Sequence, residues 1–242
     1  MDHGDNHITA LIADLEKSDK PTIRQAVNAL ITLASGNRQL QTTLNELLND
    51  SSRKNHWPIA YILASLPSPA QASIPVLTET LDHRDPDIRW AVALILIRLA
   101  KTDAKILSRL INLAAKGTAN QRRMAIYCLR DVGLNDEESV QTLLNSLRDL
   151  DPTVRVAAVT SLKMRPGLSE NGKTKLLECF SQDPDLRVRN AAAITLAQLG
   201  SPSPEFLSEL TKAVASDSAQ LKKAATAAFV LLQNKRSAPS GS

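Results

Sequence analysis

The sequence predicts an all-α solenoid of about seven helical hairpins, and three observations carry that expectation. Leucine returns every 33 residues, at Leu11, Leu44, Leu77, Leu110, Leu143 and Leu176. A second ladder, Arg24, His56, Arg89, Arg122, Arg155, Arg189 and Lys222, is followed seven residues later by Ile31, Leu63, Leu96, Leu129, Leu162, Leu196 and Phe229. Finally, 43% of the 242 residues are hydrophobic but only 3% are aromatic, and glycine is scarce at 8 residues. Leucine and alanine then carry the burial, which favours helices over sheets.

Each unit opens with an amphipathic helix A. The position four after the leucine ladder reads Leu15, Leu48, Leu81, Ala114, Leu147 and Phe180, one helical turn further along the same apolar face. Helix B follows, and its start is written as Asp85-Pro86-Asp87-Ile88-Arg89, Asp151-Pro152-Thr153-Val154-Arg155 and Asp183-Pro184-Asp185-Leu186-Arg187-Val188-Arg189. Proline in a first helical turn forfeits no hydrogen bond, and aspartate before it caps exposed amides and suits the helix dipole. Small residues such as Ala91, Ala157, Ala158, Ala191, Ala192, Ala224 and Ala225 let neighbouring B helices approach closely. A pair of helices with one apolar stripe each cannot bury that stripe alone, so the units must stack. The stretches Leu66-Pro67-Ser68-Pro69 and Ser201-Pro202-Ser203-Pro204 read as turns between units rather than linkers. The expected organisation is a single solenoid over 1–235 with a disordered tail over 236–242.

Several function classes lose support from the same text. Cys128 and Cys179 sit in apolar helical stretches that suit small buried thiols, and two cysteines make no disulfide framework. His3, His7, His56 and His83 form no HExxH motif and no Cys/His spacing for zinc, so neither a metal nor a cofactor is expected. GxGxxG, GxxxxGK[ST] and GxSxG are all absent. No apolar run reaches a membrane span, and residues 1–18 lack the basic start and apolar block of a signal peptide, so the expected location is the cytoplasm. Net charge is +4, with 9 Lys/Arg against 11 Asp/Glu over 1–100 and 20 against 14 over 101–242. That diffuse excess is a poor nucleic-acid footprint.

The pattern Asp-Pro-x-x-Arg-x-x-Ala-x-x-x-Leu, clearest over 151–162 and 183–200, resembles the short HEAT repeats of phycobilisome-lyase-type proteins. The resemblance covers about Ile8 to Gln233 and implies a right-handed solenoid, an internal Asp–Arg ladder, and B helices that line a concave surface. Asp85 with Arg89 and Asp151 with Arg155 have the i,i+4 spacing such pairing needs. Unit 2 departs from the pattern with Ser52-Arg53-Lys54-Asn55-His56, and unit 7 has Lys222 in place of arginine.

At about 100° per residue, positions 1, 5 and 8 after the second ladder fall opposite the core stripe of helix B. Both tryptophans and both tyrosines of the chain lie in these columns, at Trp57, Tyr61, Trp90 and Tyr127, with Leu94 and Ile97 between them and Arg123 and Arg130 beyond. An apolar patch of this kind marks an interface, and the arginines suit an anionic group. The expected function is a non-catalytic protein-interaction scaffold that holds a protein or peptide along the B helices of repeats 2–4. The resemblance also implies a lyase-like alternative, in which an open-chain tetrapyrrole or a phycobiliprotein is bound with Arg123 or Arg130 on a propionate. A base-excision or DNA-binding role, known among HEAT-like proteins, wants an acidic residue beside the aromatics, and positions 1, 5 and 8 hold none. HEAT-repeat hydroxylases carry His-Glu pairs, and the chain has no such dipeptide.

Overall fold

A computed structural model describes residues 3–133, 136–165, 167–200 and 202–237, with side chains over 6–235 of these. Among the described residues there are fourteen helices, which pair as the seven predicted hairpins: α1 (His3–Asp14) with α2 (Lys20–Ala34), α3 (Arg38–Leu48) with α4 (Trp57–Ser65), α5 (Ser73–Thr80) with α6 (Pro86–Ala100), α7 (Ala104–Lys116) with α8 (Ala119–Val132), α9 (Glu137–Ser146) with α10 (Pro152–Leu162), α11 (Glu170–Gln182) with α12 (Leu186–Leu199), and α13 (Pro204–Val214) with α14 (Ala219–Ser237). The fold is an all-α solenoid. The helices gather into two compact units, 1–106 and 107–242, with the boundary inside α7. Residues 238–242 of the expected tail lie outside the described residues, as does Ser201 of the second proline-flanked turn, while 236 and 237 close the backbone of α14.

The leucine ladder is core. Leu44, Leu77, Leu110, Leu143 and Leu176 are all fully buried, as are Leu15 and Leu81 one turn on, and only Leu11 at the start of the chain is half-exposed. In the first unit α4 packs between α2 and α6; in the second, α8, α10, α12 and α14 succeed one another in contact. The first-unit stack is pinned by Arg98, whose guanidinium donates to the carbonyl of Ala64 at 2.6 Å near the end of α4. In the second, Phe180 of α11 meets Phe206 of α13 edge-to-face, centroids 5.9 Å apart and planes at 78°.

The helix starts follow the predicted chemistry. Asp19, Asp85, Asp151 and Asp185 each accept the amide two or three residues on, and three of these helices carry proline in the first turn. Thr118 and Gln121 make a reciprocal capping box on α8. After α2 the chain turns at Gly36, whose φ of +89° a β-carbon would strain.

The Asp–Arg ladder exists, but it runs between hairpins rather than along one helix. Arg122 forks onto Asp149, with both bonds at 2.7 Å. Arg155 forks onto Asp183, with both bonds at 2.8 Å. The expected i,i+4 partners are otherwise engaged, because Asp85 and Asp151 serve as caps of their own helices. Arg89 instead donates to the carbonyls of His83 and Arg84, and Arg189 donates to that of Phe180. Both cysteines are buried, and desolvation pushes Cys128 up to about 12 and Cys179 to about 11, which leaves both as inert thiols at neutral pH.

Candidate functional site

The three candidate columns of helix B do not share one environment. Position 8 is a packing position in three of the units: Ala64 and Ala197 are fully buried, and Ile97 is only 6% exposed. Ile97 therefore offers no surface, which corrects its expected place in an exposed patch. Helix α6 packs on α5 and also on the B helix α4, so its buried arc is wider than the single stripe assumed from the sequence. The same column is exposed at Thr32 in α2, Lys163 at the end of α10 and Val230 in α14.

Positions 1 and 5 do reach the surface. In the first unit, Trp90 is 39% and Leu94 63% exposed, one turn apart on α6. Trp57 and Tyr61, one turn apart on α4, are half-buried because they line a groove of about 1090 Å³. The groove is bounded by Arg24, Gln25 and Asn28 from α2, by Lys54 and Asn55 ahead of α4, and by His83, Arg84 and the start of α6.

The groove arises from the irregular repeat. Helix α2 begins four residues before its ladder position, Arg24, and α6 begins three before Arg89, but α4 begins one residue after His56. With Ser52-Arg53 where units 3 and 5 place Asp-Pro, the first turn of α4 is not formed. At about 1.5 Å rise per residue, the missing four to five residues leave a gap about 6–7.5 Å deep between its neighbours. The replacing segment is held in place: Arg53 pairs with Glu16 at 2.5 Å, Asn55 donates to the carbonyl of Leu15, and the His56 ring lies 2.9 Å from the carbonyl of Asp50. Lys20 at the start of α2 bridges to Asp85 at 2.5 Å and to Asp87 at 2.8 Å at the start of α6. The two carboxylates beside it hold the lysine above its ordinary range, and Lys20 in turn holds Asp85 below the usual carboxylate range.

In the second unit, Arg123, Tyr127 and Arg130 are half-buried on α8. Arg130 stacks over the Tyr127 ring at 5.0 Å and is already forked onto its neighbour Asp131, at 2.6 and 2.8 Å. Arg123 donates to Asn120 at 3.1 Å. These arginines are committed to local acceptors, so their reserve for an external anion is smaller than the sequence suggested. Arg24, Asn28, Lys54 and Arg84 were not among the expected site residues. Their signal was present in the broken pattern of unit 2, because a repeat that lacks its first turn exposes what that turn would cover.

The fold and the site together define a helical-repeat protein. Residues 40–130, a span that includes α4 and α6, match the family model for HEAT repeats. No curated protein matches the chain. Similar solved structures include human deoxyhypusine hydroxylase in complex with glycerol, at 13% identity over 94% of this chain and 84% of that one, with a TM-score of 0.44. An engineered protein reaches 18% identity over 93% and 68% of the two chains, TM-score 0.46. A designed armadillo repeat protein in complex with the peptide (KR)4 reaches 15% over 93% and 99%, TM-score 0.43. Likenesses this distant carry no argument about activity. Among the described residues no three His, Cys, Asp or Glu side chains are grouped as metal ligands, and no helix is long and apolar enough to cross a membrane.

Proposed function

We propose that the chain is a non-catalytic interaction module that binds an extended or helical peptide segment of a partner protein in the first-unit groove. The observation that carries this reading is the groove of about 1090 Å³ floored by Trp57 and Tyr61. Its volume lies at the upper end of the roughly 300–1,000 Å³ of small-molecule pockets, which leaves room for a peptide segment. Trp90 and Leu94 extend the binding surface on α6, because large aromatic and apolar side chains left at a surface are the common anchors of interfaces. Arg123, Tyr127 and Arg130 form a separate, weaker candidate on α8. Their engagement with Asn120 and Asp131 gives the tetrapyrrole reading no specific support.

A peptide-display selection on the full chain tests the proposal, with Trp57→Ala/Tyr61→Ala as the counter-target. Peptides enriched on the wild type are expected to lose at least about tenfold in affinity on the double variant. Circular dichroism of the variant separates loss of the groove from loss of the fold. Absence of enrichment, or equal binding to both proteins, would refute the reading.

A further inference from the structure

We infer that the groove selects an acidic peptide, one whose carboxylates meet Arg24, Lys54 and Arg84 while an apolar side chain packs on Trp57 and Tyr61. This inference rests on the peptide-binding reading above and adds the chemistry of the partner. The argument is a charge balance around the groove. Its lining holds the cations Lys17, Lys20, Arg24, Lys54 and Arg84 and the anions Glu16, Asp85 and Asp87. Every anion is taken: Glu16 by Arg53, and both aspartates by Lys20. Lys17 is paired with Asp14. Arg24, Lys54 and Arg84 are exposed and have no anionic partner among the described residues.

The surrounding unit makes this local excess meaningful. Residues 1–106 carry 11 Lys and Arg against 12 Asp and Glu, so a cationic groove is not the spill-over of a basic domain. The start of α4 adds in the same sense. Its cap, His56, makes no side-chain bond to the first turn, and Pro58 supplies no amide. The start of α4, beside the groove, therefore has no side-chain cap to offset the positive end of its dipole. A polyphosphate chain carries no apolar group to pack on the Trp57 and Tyr61 rings of the lining. A peptide can place acidic residues against the cations and apolar ones against the rings.

The test is fluorescence titration of the full chain with four labelled probes. Three are short peptides with the same Leu-Phe-Leu centre flanked by glutamate, by serine or by lysine, and the fourth is a thymidine oligonucleotide of similar length. The glutamate peptide is expected to bind at least about tenfold tighter than the serine peptide, and its affinity to fall with added salt. Arg24→Glu/Arg84→Glu, two exposed sites whose change leaves helicity intact, is expected to reverse the order in favour of the lysine peptide. Equal binding of glutamate and serine peptides overturns the acidic preference but leaves the groove as a peptide site. So does a display consensus without net negative charge. Tightest binding by the oligonucleotide overturns both readings in favour of nucleic acid. Failure of the glutamate peptide to bind also overturns the inference.

Discussion

Arg155 shows how much one residue of the second ladder holds together. Its guanidinium forks onto Asp183 and also donates to the carbonyl of Asp149, and the two charged side chains are only 11% and 6% exposed. The neighbouring carboxylate raises the arginine above its ordinary range. Removing one partner of such a pair leaves the other charge buried, which costs about 3 kcal/mol or more. Arg155→Met is therefore expected to lower stability by about 3 kcal/mol in urea unfolding. Arg155→Met/Asp183→Leu should recover part of that loss, because no uncompensated charge remains. A double variant as unstable as the sum of the two single ones would show that the pair contributes no coupling. Periodicity made this arginine conspicuous but could not name its partner. The i,i+4 aspartate was the nearer candidate in sequence, and it is excluded because it caps the helix on which the arginine sits.

At the scale of the element, helix starts govern both stability and site. Asp185 caps α12, and its carboxyl is lowered from 3.8 to about 2 by the Arg187 side chain first and the Arg187 amide second. Asp151 and Asp19 are lowered in the same way by Thr153 and Thr22. A carboxylate with a depressed folded value stabilises the fold fully above its unfolded value, and that contribution is lost as pH falls through the folded value. The melting temperature is therefore expected to hold down to about pH 4 and to fall steeply between about 4 and 2. Asp185→Asn should flatten that slope, and an unchanged slope would place acid sensitivity elsewhere. Helix starts also explain what the sequence made legible. The regular starts gave the hairpins directly: Asp-Pro marks the cap at Asp85 and Asp151, while at 183–185 the cap falls on Asp185, past Pro184, because Asp183 pairs with Arg155. The groove was harder to see, because it depends on what α4 lacks relative to both neighbours. Ile97 was misplaced for a related reason: a single-helix wheel contains no neighbouring B helix to bury it.

At the scale of the molecule, the repeats are grouped into two compact units, and that grouping has consequences for unfolding. Stability in a helical-repeat array is close to a sum of repeat and nearest-neighbour terms, so damage stays near where it is made. Leu77 in α5 belongs to the first unit and Leu176 in α11 to the second; both hold the same ladder position and both are fully buried. Leu→Ala at either position leaves a cavity that costs about 3 kcal/mol. If the units unfold separately, Leu77→Ala is expected to accelerate amide exchange across α3 to α6 while α9 to α14 keep their protection. Leu176→Ala is expected to do the converse. Thermal unfolding of each variant should then split into two transitions, with the damaged unit melting first. Because the proposed groove lies in the first unit, peptide affinity should fall in Leu77→Ala at temperatures where Leu176→Ala still binds. Uniform acceleration across all helices in both variants would mean that the units share one cooperative transition, and the groove would then depend on the whole chain.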